Sequence, residues 1–269
     1  MYRTFYGFED DPFKKELPCD KLFQSRDLEE FSSRMEYFKR VKGFAVAFGR
    51  PGTGKTTCIR AFTSNLNSQL FQVVYLPLSA VTVSDFYRNL SVGLGLLPKH
   101  KKVDMFHAIQ DHIVNLYHQK KQTPFIILDE AQFLGSKILN ELRMVFNFQM
   151  DSRNYAMVLL SAQPAFLNKL NLHIHEPLRQ RTVVHYEFMG LSNEEIPQFV
   201  EKLLSNVGYE QPLFTSDAYE AIAGASSGSP RMVCTLAEKA LILGAQLKTK
   251  TLDSDIIEQA YNSTMIFES

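Results

Sequence analysis

The sequence predicts an α/β fold, a five-stranded parallel sheet followed by a small all-α domain. Three observations carry that prediction. Short β-rich runs alternate with helix-compatible segments up to about residue 190, a glycine-rich turn follows the first run, and strand signals stop near Leu191.

The first run is Phe44-Ala45-Val46-Ala47-Phe48, which stops at Gly49. The others are Gln72-Val73-Val74-Tyr75-Leu76, Phe125-Ile126-Ile127-Leu128, Met157-Val158-Leu159-Leu160 and Val183-Val184-His185-Tyr186-Glu187-Phe188. Three of them are apolar almost throughout, as expected of strands buried on both faces of a parallel sheet. Helical segments such as Ser84–Leu94 and Met105–His118 lie between them, so the strands connect by right-handed crossovers. After Leu191 the pattern turns helical. Ser192-Asn193-Glu194-Glu195 reads as a capping box, and Ile196, Phe199, Val200, Leu203 and Leu204 fall on one helical face. Ser216, Ser229 (with Pro230 at the first helical position) and Ser254 are further N-cap candidates. The expected organisation is an N-terminal segment over 1–40 packing on the core, an α/β core over 41–190 and a helical domain over 191–269.

Composition sets the outer bounds. With 269 residues, 45% of them hydrophobic and 22% charged, the chain reads as soluble and globular. Lys plus Arg equals Asp plus Glu at 29 each, so no global basic signature marks a nucleic-acid binder. A local basic surface is still compatible with that total, because binding responds to the local field. No apolar stretch is long enough for a membrane span, and the start, MYRTFYGFEDDPFKKE, lacks the basic-then-apolar pattern of a signal peptide. Cys19, Cys58 and Cys234 are far apart and odd in number, which suits a reducing compartment; a cytoplasmic protein is expected.

Eight residues from Gly49 to Thr56 spell G-x-x-x-x-G-K-[ST] between a strand and the helix-compatible TTCIRAFTSNL. Such a turn points backbone N–H groups inward around phosphate oxygens, and the following helix adds its positive end. Gly49, Pro51, Gly52, Thr53, Gly54, Lys55, Thr56 and Thr57 are therefore the expected binding residues for ATP or GTP. Lys55 would reach the β- and γ-phosphates, and the Thr56 hydroxyl would hold Mg²⁺. The run Phe125–Leu128 ends in Asp129-Glu130. Asp129 would hold the metal through water, and Glu130 would polarise the attacking water as general base. Met157–Leu160 ends in Ser161-Ala162-Gln163-Pro164, where Gln163, or in reserve Ser161, would position that water.

Together these residues resemble the AAA+ ATPases, and within them the ExeA-like group that includes TniB-like and TnsC-like transposition ATPases. The matching stretches are FYGFEDDPF, GRPGTGKTT, a Val-Tyr-Leu strand, LSAVTVSDFYRNLSVGLGL, FIILDEAQFL, LNELRMVFNF, LLSAQPAFLNKL, LRQRTVVHYEFMGLSNEE and SSGSPRMVCTLAEKAL. The resemblance implies an AAA+ P-loop NTPase with a helical lid, and ATP rather than GTP. It implies that Arg179 or Arg181 is an arginine finger completing a neighbouring copy's site, and that Arg231, in Gly228-Ser229-Pro230-Arg231, is the lid's sensor. A finger supplied in trans implies a homo-oligomer, either a ring or a helical filament.

Within that group the expected role is a DNA-transposition helper that assembles on DNA with ATP and recruits or stimulates a transposase. The alternative is an ATPase assisting assembly of a secretion complex. That branch adds a membrane span and a peptidoglycan-binding segment, whereas this chain ends at Ser269 after the lid, which favours the transposition expectation. Pro98-Lys99-His100-Lys101-Lys102 is a compact basic run, and Lys120-Lys121 is a second. Lys99, Lys101 and Lys102 would give salt-sensitive, sequence-independent contacts to double-stranded DNA; the alternative is a solvated loop. No helix carries base-reading arginines. His173-Ile174-His175 lacks the further ligands of a metal site and reads as a solvated loop. Tyr2, Phe5, Phe8, Pro12 and Phe13 read either as a cap near the adenine or as ordinary core.

Overall fold

The computed structural model describes residues 2–15, 17–77 and 82–265. Leu78–Val81, within the stretch LSAVTVSDFYRNLSVGLGL, lies outside the described residues. The strands are β1 (Gly43–Gly49), β2 (Phe71–Pro77), β3 (Thr123–Asp129), β4 (Met157–Ala162) and β5 (Thr182–Phe188). The first helices are α1 (Tyr2–Tyr6), α2 (Arg26–Val41), α3 (Lys55–Ser64), α4 (Val83–Gly93), α5 (Lys102–Gln119), α6 (Ser136–Val145), α7 (Ala165–Leu170) and α8 (Glu176–Gln180). Four more follow: α9 (Glu195–Ser205), α10 (Ser216–Ser226), α11 (Pro230–Leu247) and α12 (Ser254–Met265). The chain divides into an α/β unit, Glu30–Arg50 with Lys55–Phe188, and a helical unit, Met1–Glu29 with Pro51–Gly54 and Met189–Ser269.

In the α/β unit all strands are parallel, in the order β2-β3-β4-β1-β5. The three near-continuously apolar runs are the inner strands β1, β3 and β4, buried at every residue. The two runs that admit polar residues, β2 and β5, are the edges, where burial alternates. That division follows from physics, because only an inner strand has both faces and both neighbours covered. Register pairs Leu128 with Leu160, and Phe48 with Ala162. The carboxyl ends of β1, β3 and β4 therefore lie side by side, and ligands of open parallel sheets bind at that rim.

Phe86, Leu90, Ile109, Ile113, Leu139 and Leu142 pack onto one sheet face, against Val46, Ile126, Leu128, Val158 and Leu160. On the other face rings interlock edge to face: Phe31 with Phe62, Phe62 with Phe125 and Phe38 with Phe125, at 6.2–6.4 Å between centroids. Each such side chain, fully buried, stabilises the fold by about 1.5–3 kcal/mol. At the β5 edge, Arg34 Nη1 donates to the His185 carbonyl at 2.8 Å, and its guanidinium lies 5.1 Å from the Tyr186 ring centroid.

In the helical unit, Ile196, Val200, Leu203 and Leu204 of α9 join Ile222, Val233, Ala237, Leu241 and Ile257 in one core. Tyr6, Phe8 and Phe13 are buried in the same core, with Tyr2 and Phe5 packed against it. The Ser192–Glu195 box forms: Glu195 N–H donates to Ser192 Oγ at 3.3 Å, and Ser192 N–H to Glu195 Oε2 at 2.9 Å. Ser229 caps α11 with Pro230 behind it. Two caps shift by one residue. Thr215 rather than Ser216 caps α10, and Asp253 Oδ1, not Ser254, accepts from the Ile256 N–H at 3.1 Å. Past Leu191 the described residues hold only a single β-bridge, Phe214 with Leu252. No helix among the described residues is long and apolar enough to cross a membrane.

Candidate nucleotide-binding site

β1 ends at Gly49, a turn occupies residues 50–54, and α3 starts at Lys55. Gly52 and Gly54 have φ of 83° and 92°, a region that costs an L side chain energy and a glycine almost none. Within the helical unit, to which Pro51–Gly54 belong, a Cβ on Gly52 would lie 2.6 Å from Ser229 Oγ. The Gly52 carbonyl accepts from Ser229 Oγ at 3.3 Å and from the Arg231 N–H at 3.4 Å. The Arg231 side chain itself is exposed.

In the α/β unit Lys55 Nζ donates to the carbonyls of Gly49 and Arg50 at 2.8 and 2.9 Å, at the end of β1. Thr56 Oγ1 donates to Asp129 Oδ2 at 3.4 Å. The Tyr75 hydroxyl donates to the same oxygen at 2.6 Å, and Asp129 Oδ1 accepts from the Glu130 N–H at 3.0 Å. Burial pushes the Tyr75 phenol up, and its bond to the Asp129 carboxylate adds to this, so it remains a donor. Among the described residues no set of three His, Cys, Asp or Glu side chains forms a self-contained metal site. Thr56 and Asp129 offer two hard oxygens, which fits Mg²⁺, a cation that completes its shell from phosphates and water.

Glu130 is exposed and held at φ 56°, ψ 37°, a left-handed backbone that costs a non-glycine residue about 1–3 kcal/mol. Gln132 Nε2 donates to Glu130 Oε2, and the Gln163 N–H donates to Gln132 Oε1 at 3.0 Å. Lys169 Nζ donates to the carbonyls of Gln132 and Leu134 at 2.8 and 2.7 Å. The Gln163 backbone N–H is thus linked to the Glu130 carboxylate through the Gln132 side chain. Ser161 is fully buried in β4, its hydroxyl without a partner among the described residues.

Of the two candidate finger arginines, Arg181 is anchored within its own unit. Its guanidinium donates to the carbonyls of Arg143 at 2.9 Å and Phe146 at 3.3 Å and lies over the Phe44 ring. Arg179 is exposed, with one bond to the Leu170 carbonyl at 3.1 Å. Lys99 and Lys101 are exposed. Lys102 is exposed as well, and its Nζ pairs with Glu141 Oε1 at 2.6 Å, while Glu141 also accepts from the Tyr87 hydroxyl at 2.8 Å. His175 corrects one expectation. It is 1% exposed, not part of a solvated loop, and its Nε2 lies 3.0 Å from Ser136 Oγ. Burial, with Lys169 nearby, pushes this imidazole down.

Sequence reasoning missed Gln132, Tyr75 and Lys169. The one signal for Gln132 is its place two residues after Glu130; nothing in the local sequence marks the other two.

A parallel sheet in this order, a glycine-rich turn before α3 and paired carboxyls at the rim define a P-loop nucleotide-binding fold of the AAA+ class. Residues 39–170 match the family model described as AAA domain. General secretion pathway protein A of Aeromonas hydrophila is 28% identical over 97% of this chain and 48% of its own length. The ATP-dependent target DNA activator B of Escherichia phage Mu is 24% identical over 57% of this chain and 46% of its own. The chain thus spans less than half of these relatives. Among solved structures, the Aeropyrum pernix ORC2 protein superposes with a TM-score of 0.69 at 15% identity, covering 96% of this chain and 72% of that one. Drosophila ORC bound to DNA gives 0.71 at 16% identity, covering 98% and 66%. At such identity the likeness concerns the fold.

Proposed function

We propose that the chain hydrolyses ATP, and that its nucleotide state governs assembly of copies, in a ring or helical filament, on duplex DNA, where the assembly recruits or stimulates a transposase. The observation that carries the ATPase part is the convergence of Lys55, Thr56, Asp129 and Glu130 at the carboxyl rim of the sheet. Lys55 and the amino end of α3 attract the phosphate chain. Thr56 and Asp129 would hold Mg²⁺, which when bound neutralises charge on the β- and γ-phosphates. Glu130 takes the proton of the attacking water, and Gln163 orients that water. Arg179, exposed where Arg181 is anchored, is the finger that serves a neighbouring copy, and Arg231 is the sensor of the lid.

The DNA part is supported by the exposed Lys99 and Lys101 and by the likeness to a target DNA activator. A second reading, assistance in assembling a secretion complex, is favoured by the longer match to general secretion pathway protein A. Binding of purified protein to random-sequence duplex DNA, read by fluorescence anisotropy across salt and by electron microscopy, separates them. Tight binding only with ATP or a slow analogue, with rings or filaments on the duplex, supports the DNA reading. Intact ATPase activity without DNA binding under any nucleotide overturns it in favour of the secretion reading.

A further inference from the structure

We infer that Gln132 is a positioning residue for hydrolysis, holding the Glu130 carboxylate at the rim and tying it to the end of β4. This rests on the reading of Glu130 as general base. The amide orientation follows from its neighbours. The Gln163 N–H can only donate and the Glu130 carboxylate only accept, so Oε1 faces Gln163 and Nε2 faces Glu130. The half-buried side chain thereby links the residue after β3 to the residue after β4. Its own backbone is held as well, since Lys169 Nζ reaches the carbonyls of Gln132 and Leu134 together and clamps the 131–134 turn. An exposed glutamate on a left-handed backbone has several staggered rotamers open to it. The Nε2 donor selects one of them, and Gln163 and Lys169 fix the donor.

The test compares Gln132→Glu with Gln132→Leu. The glutamate is isosteric and still accepts from the Gln163 N–H, but it cannot donate to Glu130 and repels it. The leucine loses both bonds. Expected for Gln132→Glu is a kcat lowered about a hundredfold, the scale of a misplaced reacting group, with KM and the affinity for a fluorescent ATP analogue unchanged. Hydrogen exchange at the Gln163 amide, measured without nucleotide, should stay slow in Gln132→Glu and become fast in Gln132→Leu. Normal kcat in Gln132→Glu overturns the inference, as does unchanged Gln163 exchange in Gln132→Leu. Loss of affinity and thermal stability in parallel with kcat also overturns it, because that pattern belongs to a structural residue. Glu130→Gln in the same assay separates the two levels. If it turns over normally, the base assignment fails and the role of Gln132 with it; if it is slow while Gln132→Glu is normal, only the role of Gln132 fails.

Discussion

Thr56 Oγ1 lies 3.4 Å from Asp129 Oδ2, so the first turn of α3 and the last residue of β3 share a pair of oxygens. The residues are far apart in sequence and meet because β1 and β3 run parallel with only β4 between them. The pair ties the amino end of α3 to the carboxylate strand.

Asp129→Asn keeps an acceptor for the Tyr75 hydroxyl but removes the charge. The gain in nucleotide affinity on adding Mg²⁺ should fall by about tenfold or more, while metal-free affinity holds. Titration calorimetry with and without Mg²⁺ decides this, and an unchanged Mg²⁺ increment would reject the site.

The two arginines should separate. Arg179→Ala should fold normally and lower kcat about a thousandfold, and it should be rescued by mixing with a copy carrying Lys55→Ala, whose own Arg179 is intact. Arg181→Ala strands the Arg143 and Phe146 carbonyls and should cost about 2 kcal/mol of stability. Urea melts and mixing assays read the two effects; failure of every mixture to regain activity sinks the shared-site model.

Lys99→Ala with Lys101→Ala should reduce the salt slope of DNA binding by about one for each phosphate deprived of its lysine. Lys102→Ala should leave the slope intact and cost under about 1 kcal/mol, the worth of an exposed ion pair. An equal drop in slope from both variants would return Lys102 to the DNA surface.

Because burial holds His175 neutral, its folded value lies below that of the unfolded chain. The unfolded chain therefore binds the proton first on acidification. Stability is full above about pH 6.5 and declines as pH falls toward the folded value. His112, also pushed down by burial, acts in the same direction. His175→Gln should flatten the dependence between about pH 7 and about pH 5. Urea denaturation at both pH values measures it; an equally steep decline would assign the effect elsewhere.

The sheet was legible because strand burial writes itself into composition: the runs at 44–48, 125–128 and 157–160 became inner strands, and those with polar interruptions became edges. Asp129 and Glu130 were legible because they end an apolar run. Caps at 215 and 253 slipped by one because Thr215-Ser216 and Asp253-Ser254 are each two good cap types in a row. Gln132, Tyr75 and His175 stayed hidden because their roles come from partners distant in the chain: Gln163, Asp129 and Ser136. Likewise, nothing local distinguishes Arg179 from Arg181; the carbonyls that hold Arg181 belong to residues 143 and 146.

The Arg34 guanidinium on the His185 carbonyl has a consequence for how copies of this chain can meet. An outermost strand is a template on which a foreign strand can add by backbone pairing. Here one of the acceptors such an intruder needs is already filled, and an irregular register between β1 and β5 at Phe44 and Ala45 further disturbs the ladder at that margin. The outer margin of β5 is therefore a poorer template for an added strand at His185 than a bare edge would be. A copy that approaches this margin meets the Arg34 side chain rather than an open His185 carbonyl.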